Sequence, residues 1–136
     1  MYSITQLGHR EVQSILTAVA ERAQENNQAV AVSVVDEHGE VQGFLRMDGV
    51  GYASVTIAQN KAVTAARDRQ EPQSLGDASK AYGFPVSHYT DPRFTGFGGG
   101  VPVFYQDKCV GGVGISGLTE EEDAELAKFG IAQAIG

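Results

Sequence analysis

Apolar and polar positions recur along the chain with two periods, and the period sorts the residues into elements. Leu7, Val12, Ile15, Leu16, Val19 and Ala23 fall near 3.6-residue spacing, with Arg10, Glu11, Glu21, Arg22 and Glu25 on the other side. This predicts an amphipathic helix over residues 5–26, capped by Thr5 and stopped at Asn26-Asn27. Residues 29–35 are a β-branched run with little polar alternation, which predicts a strand covered on both faces. A turn over 36–40 with Gly39, and a return over 41–47, make it an antiparallel hairpin that Asp48-Gly49 closes. A second helix over 53–69, with Ser54 as cap, is rich in alanine (Ala53, Ala58, Ala62, Ala65, Ala66), so its axis can lie close to a sheet.

Glu71-Pro72 breaks that helix, because proline cannot continue it. Ser74 with Asp77 resembles a capping box and opens a short helix that Gly83 ends. Residues 83–95 contain two prolines and no period, which predicts a long loop of the kind that is more often functional than decorative. Strands over 101–105 and 109–115 follow, joined by Gln106-Asp107-Lys108, and Pro102 marks a strand start or a sheet edge. Thr119 and Glu122 form a capping box for the last helix, with Ala124, Ala127, Ile131 and Ala134 as its inner stripe. The order helix, hairpin, two helices, hairpin, helix predicts an α+β domain: one antiparallel sheet with helices on its faces.

Composition narrows the function classes. The 136 residues fit a single domain, which at this length buries about 68% of its unfolded surface. A net charge of −7 argues against a duplex nucleic-acid partner, since phosphate binding needs a basic face. No apolar run approaches the roughly 20 residues of a membrane span. The first residues lack the basic and apolar regions of a signal peptide, and the single cysteine, Cys109, suits a reducing compartment, so a cytoplasmic protein is expected.

The chemistry-bearing positions are few. Eight of the 17 glycines fall within residues 94–117, where they serve either strained backbone or backbone that a ligand must approach. The later ones, 111–117, read as a strand with close helix packing, and the earlier ones, 96–100, as the ligand-facing part. Gly112-Val-Gly-Ile-Ser-Gly117 matches G-x-G-x-x-G but lies inside a strand and lacks the βαβ context of a dinucleotide fingerprint. His9, His38 and His88 show no metal-ligand spacing, and no metal site is expected. His88 ranks first among them because it lies on the long loop, whereas His9 and His38 read as solvated. Cys109, at a strand start, reads as a half-buried filler. Lys61 flanks the apolar stripe of its helix: its stem lies on the core edge with the ammonium in water, or it anchors an anionic ligand.

Taken together, Val34-Val-Asp-Glu-His-Gly-Glu40, Phe44-Leu-Arg-Met-Asp-Gly49, Asn60-Lys-Ala62, Gly98-Gly-Gly-Val-Pro-Val103 and Val113-Gly-Ile-Ser-Gly117 with the later Asp123 resemble the GlcG/HbpS family of haem-binding or haem-degrading proteins. The resemblance runs over nearly the whole chain. It implies a profilin-like, three-layer α/β/α fold with a five-stranded antiparallel sheet, the fifth strand falling near Arg93–Phe97, and it implies homo-oligomers. Its recurrent polar positions fall on Arg46, Asp48, Lys61 and Ser116, with a glycine platform at Gly98, Gly99 and Gly100. The family carries no shared catalytic residue. Two functions follow. One is a haem- or tetrapyrrole-binding protein, with His88 as axial ligand and Arg46 or Lys61 facing the propionates. The other is a small enzyme of a catabolic pathway acting on an anionic organic acid. There Lys61 and Arg46 hold the carboxylate, glycine N–H groups stabilise an oxyanion, and Asp48 or His88 moves a proton.

Overall fold

The computed structural model describes residues 1–135. In chain order it contains α1 (His9–Glu25), β1 (Ala31–Asp36), β2 (Val41–Arg46), α2 (Ala53–Asp68), α3 (Pro72–Tyr82), a 3-10 turn (Val86–Tyr89), β3 (Gly100–Tyr105), β4 (Lys108–Ser116) and α4 (Glu120–Ile135). The four strands form one antiparallel sheet in the order β2-β1-β4-β3. The expected alternation of hairpins and helices is present, and Pro102 sits on the edge strand β3, where its missing N–H costs no ladder bond. Among the described residues no helix is long and apolar enough to cross a membrane.

Helices cover both faces. On one, α1 and α4 bring Ile15, Val19, Leu126 and Ala127 against Val32, Val34, Val113 and Ile115. Each such aliphatic side chain stabilises by about 1.5–3 kcal/mol when fully withdrawn from water. On the other, α2 lies across β1 and β4, with Val35, Ala62, Val63 and Ala66 packed together. The strand β1, central and flanked by helices on both sides, has Ala31 to Val35 all buried, as its unbroken apolar run predicted.

Gly112 and Gly114 set the depth of α2. A Cβ on Gly112 would stand 2.6 Å from the Ala62 carbonyl oxygen, and one on Gly114 would run into Ala58 O and Ala62 N. Alanine on the helix and glycine on the strand therefore bring two backbones together with nothing between them.

Several boundaries differ from the periodic reading. Among the described residues there is no fifth strand: residues 93–97 instead cross α2, where the Thr64 hydroxyl, donating to Asn60 O at 2.8 Å, accepts from Thr95 N at 3.0 Å and lies 3.4 Å from Arg93 O. Helix α1 begins at His9 rather than near Thr5, because Leu7 N–H is already engaged by Val110 O at 3.2 Å; the Glu11 carboxylate then accepts from Gly8 N at 2.7 Å. Helix α2 starts from Tyr52, and Ser54 bonds Ser116 instead of capping. Helix α3 takes in Pro72 in its first turn, where a missing N–H is harmless, so Ser74 is not its cap. The Thr119–Glu122 box is present, with reciprocal bonds of 3.1 and 3.2 Å. Yet the buried face of α4 is Asp123, Leu126, Ala127 and Gly130, offset from the predicted alanine stripe.

Candidate functional site

The register gathers four of the nominated residues at one end of the sheet. Ala31 faces Arg46 on one side and Ser116 on the other, Gly100 faces Gly114, and Ile115 N donates to Gly99 O at 2.9 Å. The gathering separates by depth.

Lys61 lies at the bottom. Its side chain is only 4% exposed, so the expected ammonium in water is not what the fold provides. The short distance between α2 and β4 leaves position 61 no route outward, and the stem instead enters the space between the end of β4 and α4. There Nζ donates to Ile115 O at 2.8 Å and to Asp123 Oδ2 at 3.1 Å, while Asp123 Oδ1 accepts from Leu118 N at 3.1 Å. Burial pushes the Asp123 pKa up, against the downward pull of Lys61. Asp123 was singled out in the sequence as part of the family resemblance, but not as the partner of Lys61; the signal for its burial was its step of three and four to Leu126 and Ala127.

The glycine platform closes over this pair. Gly99 has φ +117°, and a Cβ there would stand 2.7 Å from both Lys61 Nζ and Asp123 Cβ. Gly100 meets Lys61 O as closely as 2.5 Å from its Cβ position. Gly98 N donates to Glu120 Oε1 at 2.7 Å. Gly98, Gly99 and Gly100 are all buried, so both glycine segments, early and late, are sites of close backbone packing.

Arg46 and Asp48 remain outside, on a shallow recess of about 360 Å³ formed by residues 46–52. The Arg46 guanidinium sits 5.5 Å from the centre of the Tyr52 ring. Ser116 lies beneath, its hydroxyl 3.1 Å from that of Ser54.

His88 is elsewhere, exposed on the 3-10 turn of what was expected to be a structureless loop. That segment is ordered by Tyr89 stacked on Phe94 (5.2 Å) and by Asp91. The Asp91 carboxylate accepts from Arg93 N, Nε and Nη2 at 3.0, 3.1 and 3.0 Å. Hydrogen bonding from the Arg93 side chain holds the Asp91 pKa below the usual carboxylate range. Beside the turn, a cleft of about 540 Å³ runs between α3 and residues 94–97, with Lys80, Val86, Phe94 and Phe97 on its walls.

The structure thus joins Lys61 with Gly98–Gly100, and Arg46 with Asp48, but leaves His88 with neither group. Cys109 is half-buried as expected, its thiol pKa pushed up by burial. Among the described residues no group of three His, Cys, Asp or Glu side chains is placed to hold a metal ion.

Comparison with known proteins fixes the lineage. The family model described as haem degrading protein HbpS-like matches residues 7–132. The chain belongs to the HbpS-like family. Within this family it is 39% identical over 115 residues to an uncharacterized 15.0 kDa protein from the dhaT-dhaS intergenic region of Citrobacter freundii, covering 82% of this chain and 80% of that one. It is 36% identical over 110 residues to Protein GlcG of Escherichia coli, 81% of each chain being covered. Among solved structures, a PduOC:Heme complex matches with a TM-score of 0.86 at 30% identity, over 95% of both chains.

Proposed function

We propose that this protein is a tetrapyrrole-binding module whose ligand is haem, bound at one site per chain, and that it works as a homo-oligomer in the cytoplasm. The observation that carries the reading is the near-full-length likeness to a chain solved as a haem complex. The geometry favours binding over chemistry. Lys61, nominated to hold a substrate carboxylate, is engaged by Asp123 and Ile115, and the Gly98 N–H, nominated for an oxyanion, is engaged by Glu120.

The residues present fit the group. A haem needs an imidazole or another axial donor and cations for two propionates. By residue type, exposed histidines (His9, His38, His88) supply the first, and Arg46, which forms no ion pair among the described residues, is freer than Lys61 for the second, although no histidine lies on the recess it shares with Asp48. Bound haem supplies redox and ligand-exchange chemistry at iron; the chain holds the macrocycle, supplies the axial donor and sets how much water reaches it.

A haemin titration followed by absorbance tests this. A saturating Soret shift at one haemin per chain is expected, with loss of that shift on removing the liganding histidine. A linear, non-saturating rise that is the same in His9→Ala, His38→Ala and His88→Ala overturns the reading.

A further inference from the structure

The two edges of the sheet are closed unequally. At one edge, β3 carries Pro102, which has no N–H to offer a further strand. At the other, β2 carries neither proline nor lysine, and among the described residues no strand pairs with its outer side. Met47 N–H donates to Val30 O at 3.0 Å, so by the alternation of an antiparallel ladder Leu45 and Gly43 also turn their backbone groups to β1. Phe44 and Arg46 then turn theirs outward. The one irregularity, a bulge at Val34/Val35, falls at the hairpin end and leaves Gly43 to Arg46 in regular register.

Helix α1 borders this edge. A Cβ on Gly43 would stand 2.6 Å from Val12 Cγ1 and 2.9 Å from Leu16 Cδ1, which places that side of α1 over β2. The flank beyond it is formed by His9, Gln13, Leu16, Ala20 and Gln24, which recur every three or four residues. No charge interrupts that stripe. Arg10, Glu11, Glu21 and Glu25 lie elsewhere on the helix, and Arg22 stacks on Phe129 of α4, 3.7 Å from the ring centre. On the opposite face of the sheet, α2 lies across β1 and β4 and leaves β2 uncovered: Val41 is 63% exposed and Tyr52 80%.

The charges on this edge select its occupant. Glu40 and Arg46 form no ion pair among the described residues. Both lie on the α2 side: Glu40 acts on the charge of Arg93, whose segment crosses α2, and the Arg46 guanidinium sits beside Tyr52. They stand symmetrically about Gly43 in the sequence. When β2 pairs antiparallel with β2 of a second copy about an axis at Gly43, Phe44 of each faces Gln42 of the other. Glu40 of each then faces Arg46 of the other. Moving the axis to Phe44 sets Glu40 against Asp48, two like charges, and moving it to Leu45 sets Glu40 against Val50. Only the Gly43 axis matches the charges.

Resting on the reading that this protein is a homo-oligomer, we propose that its dimer forms by antiparallel pairing of β2 with β2 of a second copy about a two-fold axis at Gly43. Helix α1 packs on α1 along the uncharged flank. The sheet then continues from one copy into the other, and each Glu40–Arg46 pair forms twice, as a self-complementary contact requires. Arg46 has five N–H donors, so this pairing does not exhaust it.

The test is sedimentation equilibrium on the full chain without added haemin, with circular dichroism confirming each fold. Wild type is compared with Glu40→Arg, Arg46→Glu, the Glu40→Arg/Arg46→Glu double variant and Gln13→Arg. Self-association is expected to weaken about tenfold or more in each single reversal, where like charges face each other twice, and to return in the double variant. Gln13→Arg, which places a charge on the α1 flank, should also weaken it. An equimolar mixture of the two single reversals is the sharpest arm. Each variant supplies the charge the other lacks, so a mixed dimer should form where neither associates alone. Association unchanged in the single reversals or in Gln13→Arg, or not recovered on mixing, overturns this interface while leaving the homo-oligomer intact. A wild type that stays monomeric throughout the concentration range overturns both.

Discussion

The two ends of the sheet carry similar residue types in opposite states. At one, Lys61 and Asp123 are sealed under Gly99 and Gly100 and paired at 3.1 Å. At the other, Lys108 and Asp107 stand exposed on a hairpin beside Arg69 and His38. The side chains are no different in chemistry. What differs is how close the backbones come. At the sealed end, glycines let α2 and the 98–100 segment approach until water is excluded, and a charge there must find its partner inside. At the open end the turns project beyond the helices, and charges keep their hydration. Pairing at the sealed end makes a joint; at the open end the groups stay in water.

The sharpest way to break this contrast is to remove one member of the buried pair. Lys61→Ala leaves the buried Asp123 carboxylate without its cation, only the Leu118 N–H remaining to it, and a loss of about 3–5 kcal/mol in urea unfolding is expected. Replacing both, as Lys61→Met with Asp123→Leu, should recover most of that loss, because no charge is then stranded. Lys108→Ala, the exposed counterpart, should stay within about 0.5 kcal/mol. Equal effects at positions 61 and 108 would show that the two ends do not differ as described.

A smaller effect separates glycines that admit backbone from those that do not. Gly114→Ala drives a methyl group into Ala58 O and Ala62 N, and should cost about 1–3 kcal/mol by thermal or denaturant unfolding. Gly51→Ala, with no heavy atom within 4 Å of the added carbon, should be neutral or stabilise by about 0.4–1 kcal/mol. Gly114→Ala at wild-type stability would mean that α2 is not held at its depth by the strand beneath it.

The smallest expected effect lies on the loop between the ends. The Arg93 side chain keeps Asp91 ionised to lower pH in the folded chain than in the unfolded one. Its contribution is therefore present above the unfolded value of about 4 and lost as pH falls through the lower folded value. Wild type should exceed Asp91→Asn in stability near neutrality, and the gap should narrow as pH falls below about 4. A gap that is constant with pH would remove the Asp91–Arg93 pairing as its source.

Much of this was legible in the chain itself, and the reasons are local. The unbroken Val run of β1 requires cover on both faces, and the Thr119–Glu122 box needs only four residues to form. The resemblance motifs identified the family because their order along the chain carries the information. Helix starts were less legible where a long-range bond competed. Leu7 N–H is taken by Val110, more than a hundred residues on, and Ser54 by Ser116; no local pattern records either. The supposed fifth strand failed for the same reason, since Thr64 on α2 holds residues 93–95 across the helix. At the candidate sites, residue types were readable but their grouping was not. Lys61 at the edge of a helical stripe looks like a lysine with its head in water until the depth of α2 is known.

The sequence by itself determined the elements, their antiparallel hairpins, the acidic character and the family, because each depends on periodicity, turn chemistry or motif order. Only the tertiary structure decided that the glycine-rich stretch, from Gly96 to Gly117, is chiefly a place where backbones meet. It also decided that Lys61 belongs to Asp123, and that Glu37, His38, Arg69 and Lys108 share one recess. Those facts depend on interatomic distances across the sheet, which are set by packing depth and register and leave no periodic trace along the chain.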